Sequence, residues 1–297
     1  MPGYWKAGSK WQLSSAGLHL SAAGSLAGSG MALTKWLQAL LAGEGSFNGI
    51  LESLSAQRFL SNGQPTGYGL GLRWTMIDDK MFIGHGGSHP GYKSYFLLDP
   101  VGQNGMIVLS NCDDTDAYKI ARDCMAALNA LPLPKMQCSI PDGLYVADAG
   151  PFWLELRSGV VSWLDGQETL YDVGDGWFSS LSASMPVKLR WTGDTLEGEI
   201  CHSSRRLKPV SIKPMGRELD GQWQAVLYGA NFEIRDGHLI MGIGPVRRAM
   251  ALEDIGQGRA LFTLQDAPWT HRICLHQLDA NRLELVLNRS RIMEYTR

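Results

Sequence analysis

No run of 18 uninterrupted apolar residues occurs in the 297-residue chain, so a membrane-spanning helix is not expected. Cysteine is scarce. The five (Cys112, Cys124, Cys138, Cys201 and Cys274) are odd in number and form no C-x-x-C, a pattern of free thiols in a reducing, cytoplasmic compartment. An excess of either charge is also missing, with 27 Lys plus Arg against 29 Asp plus Glu. Residues 1–135 carry ten basic and nine acidic side chains, so no half hides a polyelectrolyte. Nucleic-acid binding and polybasic membrane binding are thereby disfavoured. The Ser/Gly/Ala-rich N-terminus contains His19 and no dense apolar core, unlike a signal peptide. There is no G-x-S-x-G elbow, and Gly69-Leu70-Gly71 lacks the third glycine of a dinucleotide fingerprint. His85 and His89 lie four apart on a glycine-rich segment, where helical metal-ligand spacing does not apply, so neither metal nor cofactor is implied.

What the chain does have is apolar material, 44% of residues, enough for a real core in two domains or three small ones. Leu33, Trp36, Leu37, Leu40 and Leu41 fall at helical spacing, and Gly43 and Gly45 stop that helix. A loop is expected from there to Gly67. Tyr68–Met76, Lys80–Ile83, Lys93–Leu98 and Met106–Ser110 read as strands, and 116–131 as a helix ended by Leu131-Pro132-Leu133-Pro134.

After Pro141 short alternating runs replace helical patterns. Asp142-Gly143-Leu144-Tyr145 resembles Asp220-Gly221-Gln222-Trp223, and Glu155–Gly159 resembles Glu233–Gly237, both at an offset of 78. Two copies of one small antiparallel barrel, at 141–215 and 218–297, are therefore expected. Two unrelated β domains sharing hairpin chemistry are the alternative.

The segment with chemical potential is Phe82-Ile83-Gly84-His85-Gly86-Gly87-Ser88. A strand delivers a histidine, and bare glycines allow a substrate backbone to approach. Alone this is a hairpin with an incidental histidine. In order with T-K-W-L-Q-A-L-L, G-Y-G-L-G-L-R-W and L-L-D-P-V-G-Q-N-G-M-I-V-L-S-N, it resembles the C-terminal part of the penicillin-recognising serine hydrolases (class C β-lactamase-like). The resemblance covers about residues 20–130. Two following barrels make it similar to the D-aminopeptidase branch. It implies an α+β chain: a partial β-lactamase-like sheet domain at 1–135, then the two barrels.

The resemblance also implies a reaction, removal of an N-terminal D-amino acid through a serine acyl-enzyme. His85-Gly86-Gly87 takes the place of the family's third motif, His85 moves a proton or donates a hydrogen bond, and Ser88 supplies an oxyanion N–H. Gly86 and Gly87 leave room for substrate. The implied substrate is a small peptide or amino-acid amide, and a homodimer is compatible. Asp279, in the tip Gln277–Asn281, is a candidate partner for the substrate amine or an ordinary Asx turn; Gln265-Asp266-Ala267-Pro268 is a second candidate loop.

The family's S-x-x-K is absent, since none of the ten lysines has a serine three positions before it. No Y-x-N occurs, and Ser46-Phe47-Asn48 falls where a turn is expected. The expectation is a C-terminal portion of a longer enzyme, inert alone; a non-catalytic barrel binding protein derived from the family is the alternative. Loss of covering elements would leave Phe82, Ile83, Ile107 and Leu109 near exposed apolar surface.

Overall fold

The computed structural model describes residues 1–14, 24, 26–266, 268–287 and 292–297. His19 and Ala267 lie outside these. The chain is α+β, with an N-terminal layer of sheet and helices followed by two barrel-like sheets.

A hairpin of β1 (Tyr4–Ala7) and β2 (Lys10–Leu13) comes first. Helix α1 (Gly30–Ala42) begins at Ser29, whose side chain accepts from the Ala32 N–H, and ends at Gly43 in the left-handed region. The expected loop to Gly67 contains a short helix, α2 (Ile50–Ser55). Six residues are too few for a periodic signal. Burial of Leu51 beside Leu37 and Leu40, and a Trp74 Nε1 bond to the Ser55 carbonyl (2.9 Å), hold it in place.

Four antiparallel strands follow in sequential order, β3 (Arg73–Ile77), β4 (Lys80–His89), β5 (Tyr92–Asp99) and β6 (Asn104–Ser110). Alternation splits their side chains between two faces. Ile77, Phe82, Tyr95 and Leu97 pack against α3 (Ala117–Leu128), whose N-cap Asp116 accepts from the Lys119 N–H. Ile83 and Leu98 pack with Leu37, Leu40 and Leu51 of α1 and α2. The expectation of exposed apolar residues is therefore corrected. Phe82 and Ile83 are buried and Ile107 is half-buried, because helices cover both faces; only Leu109 is exposed.

The first barrel contains β7 (Gly143–Ala147), β8 (Trp153–Arg157), β9 (Val160–Trp163), β10 (Gly166–Thr169), β11 (Tyr171–Asp172), β12 (Trp177–Ser179), β13 (Val187–Trp191), β14 (Leu196–Ile200) and β15 (Ser203–Val210). Each pairs with its sequence neighbour except across Leu170, and β15 returns to pair with β7. An unclosed seam remains between β10 and β11. After β16 (Lys213–Pro214), the second barrel repeats this order with β17 (Gly221–Ala225), β18 (Ala230–Arg235), β19 (His238–Met241), β20 (Arg248–Ala251), β21 (Glu253–Asp254), β22 (Arg259–Asp266), β23 (Trp269–Asp279), β24 (Arg282–Val286) and β25 (Met293–Thr296).

The repeat extends to individual bonds at the same offset. Asp142 accepts from the Ser158 N–H and Asp220 from the Asp236 N–H. The Tyr145 hydroxyl donates to the Pro141 carbonyl, and the Trp223 indole to that of Leu219. Ser158 and Asp236 share a φ of 49°, each followed by a left-handed glycine.

Contacts join the units. Arg259, almost fully buried, donates to the carbonyls of Gly150 (2.6 Å) and Ala147 (2.9 Å) across the two barrels. Arg122 of α3 donates to the Tyr171 hydroxyl (2.5 Å), and Thr75 bridges Ser182, which seats the first barrel on the sheet.

Candidate functional site

Strand β4 continues unbroken through the glycine pair, and the chain turns at Pro90-Gly91 instead. Gly91 sits at φ +78°, and a Cβ there would lie 2.8 Å from the Gly3 carbonyl carbon. The N-terminal hairpin clasps this turn, since Ser14 Oγ donates to the Pro90 carbonyl (2.7 Å) and the Tyr4 N–H to Asn111 (2.8 Å).

The pairing of β4 is asymmetric. Toward β5 it runs from Ile83 to His89, but β3 pairs only as far as Gly84. Residues 85–89 therefore present a strand edge not paired with β3, the kind of template on which an extended peptide can add. His85 is half-buried on this stretch, on the face carrying Ile83 and Phe96.

Its Nε2 lies 2.9 Å from the Tyr68 hydroxyl, and the rings meet edge to face. Burial, and secondarily the Arg73 guanidinium, hold the His85 pKa below its usual value, against an opposing contact with the Gly86 backbone. The imidazole is thus neutral near neutral pH and able to accept a proton. Arg73 itself stacks over Tyr68, 5.6 Å from the ring centroid. Tyr68 is a residue that sequence reasoning missed. It lies in a loop and meets His85 only through the fold.

The other expected residues are distributed unevenly. Gly86 and Gly87 follow His85 directly. A Cβ at Gly86 would lie 2.8 Å from the Tyr95 ring, so packing against Tyr95 already demands a glycine. Ser88 is exposed, and its hydroxyl accepts from Lys93 Nζ (2.7 Å), a lysine paired to Asp113 (3.5 Å). Asp279 is exposed at the tip between β23 and β24. Its carboxylate accepts from Arg282 Nε (2.7 Å) and from the Asn281 N–H (2.8 Å), which lowers its pKa. Among the described residues no hydrogen bond or ion pair connects Asp279 with β4.

His85 and His89 stand four residues apart along an extended strand, roughly 13 Å by strand rise, too far to share one ion. Among the described residues no group of three His, Cys, Asp or Glu could hold a metal. Ser46-Phe47-Asn48 spans the end of a 3₁₀ turn.

Among the described residues, the site is a histidine–tyrosine pair beside a stretch of β4 that β3 does not pair, on a helix-covered antiparallel sheet. Comparison adds a family likeness. Residues 2–128 match the Beta-lactamase family model. Among solved structures, the octameric penicillin-binding protein homologue from Pyrococcus abyssi is similar, at 14% identity and a TM-score of 0.41. That match takes in 99% of this chain and 53% of the homologue, so the chain spans about half the length of that protein. A SurE crystal structure aligns with 55% of this chain and 42% of its own, at 18% identity and a TM-score of 0.25. No curated protein matches the chain.

Proposed function

We propose that this chain carries the substrate-aligning wall of a serine acyl-transfer hydrolase acting on N-terminal D-amino acids in peptides, amides or esters. The observation that carries the reading is the His85–Tyr68 pair on a β4 edge that no described strand pairs on the β3 side beyond Gly84, within the stretch that matches the Beta-lactamase family model.

On this reading each group has a task. A substrate laid along residues 85–88 would gain strand-type hydrogen bonds from the open edge. His85, kept neutral by burial and Arg73, would take up or pass on a proton, with Tyr68 fixing the ring. The Ser88 N–H would serve the developing oxyanion. Asp279 would recognise the substrate amine by exchanging its bond with Arg282 for one to the ligand. The attacking serine is not among these 297 residues in S-x-x-K form, so turnover needs a serine supplied from elsewhere.

Hydrolysis of D-alanine p-nitroanilide tests the reading. The 297-residue chain should stay near background, since removing the nucleophile of a serine hydrolase costs about six orders of magnitude. A longer chain that joins it to a family S-x-x-K segment should turn over, and His85→Ala in that chain should lose about 10²–10⁴-fold. Robust turnover by the 297 residues alone, or an unaffected His85→Ala, would refute it.

A further inference from the structure

A second polar site lies on the opposite face of the sheet. There a cavity of about 540 Å³ opens between β3, β5, α3 and the first barrel, within the ~300–1,000 Å³ typical of small-molecule sites. Its wall includes β10 and Tyr171 of β11, at the seam where the barrel does not close. His85, Gly86, Gly87 and Ser88 are not part of it.

The polar groups in this wall fall into two sets. Arg122 is committed, bonding Asp123 through Nε and Nη2 and Tyr171 through Nη1. Arg73 is not. Among the described residues it has no carboxylate partner, and its buried Nε lacks a hydrogen bond. Glu168 on β10 likewise forms no ion pair, although Arg73 and Arg122 both act on it at longer range. Burial pushes its pKa up to about 7, only partly offset by Ser182 and the two arginines. Tyr118 of α3 is half-buried, and its hydroxyl, shielded from solvent beside Thr75, has no hydrogen-bond partner among the described residues. A buried hydroxyl left unpaired is costly, and such groups are usually paired.

A guanidinium and a carboxyl group that form no ion pair among the described residues line one cavity, with an unpaired hydroxyl in the same wall, and together they match a ligand bearing both charges. We propose that this cavity binds a small zwitterion, an amino acid or short peptide, with its carboxylate on Arg73, its ammonium on Glu168 and a hydrogen bond to Tyr118. The site is distinct from the proposed acyl-transfer wall, because His85, Gly86, Gly87, Ser88 and Asp279 do not line it; Arg73 is the residue the two share. It is nonetheless wired to β4, since Arg73 stacks on Tyr68, the partner of His85. A carboxylate on Arg73 would relieve part of the field that keeps His85 neutral.

Calorimetric titration with glycylglycine at pH 8 tests this without any turnover. One-site saturable binding is expected, and N-acetylglycylglycine and glycylglycinamide should each bind about tenfold more weakly or worse, the loss of one charge-assisted bond. Arg73→Gln and Glu168→Gln should each weaken glycylglycine by a similar factor. Arg73→Gln should also erase the discrimination against glycylglycinamide, which simple misfolding would not do. Tyr118→Phe, a mild change, should weaken binding severalfold and report even if an arginine variant does not fold. A His85 NMR titration should show its pKa rise on saturation. Absence of saturable binding to the folded protein, or equal affinity for the blocked dipeptides, would overturn the proposal.

Discussion

Replacing Glu168 with glutamine should make this protein more stable in alkali and leave it nearly unchanged in acid. The folded-state pKa of Glu168 is raised from 4.5 to about 7, with burial as the leading cause. A raised folded pKa means that the native state holds its proton more tightly than the unfolded chain. The contribution to stability is full below about pH 4.5 and is lost as pH climbs through about 7. At ~1.4 kcal/mol per unit, ionising the buried carboxyl costs about 3.5 kcal/mol before solvent screening, and partial solvent access reduces this to about half. Glutamine keeps the shape and cannot ionise. The melting temperature of Glu168→Gln should therefore match that of the parent at pH 5 and exceed it at pH 8.5 by several degrees, using ~2–4 °C per kcal/mol. Differential scanning calorimetry at the two pH values decides. An equal offset at both would show that Glu168 does not titrate between them, and a lower Tm for the variant only at high pH would show that its charge is stabilised by Arg73 or Arg122 more than burial opposes it.

Other expected outcomes follow from the same geometry. Gly86→Ala places a methyl 2.8 Å from the Tyr95 ring and should cost about 1–3 kcal/mol by overpacking, read as a shift in urea midpoint. Arg259→Met removes two inter-barrel bonds and orphans the carbonyls of Ala147 and Gly150; about 2–4 kcal/mol should be lost, and limited proteolysis should begin to separate the barrels. Tyr68→Phe strips the hydroxyl from His85 and should alter its NMR titration, whereas Tyr228→Phe, on an exposed loop of the second barrel, should leave it unmoved. In a catalytically competent longer chain, Asp279→Asn should raise KM for D-alanine p-nitroanilide with kcat little changed, the signature of lost ground-state recognition.

The sequence made much of this architecture legible. Helix α3 could be placed because Leu131-Pro132-Leu133-Pro134 ends its run, and α1 because Gly43 ends it with a left-handed residue. The barrel pair could be read from Asp142/Asp220 and Gly159/Gly237, residues whose turn bonds recur at the offset of 78. Helix α2 escaped because one buried leucine and a tryptophan bond hold it, neither of which has a local signature. The length of β4 escaped because glycines usually break strands; here Tyr95 fills the space that Gly86 leaves. Tyr68 and the Glu168 cavity escaped for a shared reason. Each arises from residues distant in the chain, Tyr68 with His85, and Arg73 and Tyr118 with Glu168, brought together only by packing of separate units.

The central claim is that residues 85–88 of β4 form a substrate-aligning wall. Backbone amide NMR during titration with D-alaninamide, which has an ammonium and no carboxylate, tests it most directly. The account predicts saturable shifts at His85, Gly86, Gly87 and Ser88, with the His85 ring signals moving and those of Arg73→Gln protein responding alike. Shifts confined to the Glu168 cavity, or none on β4 at saturating ligand, would contradict it.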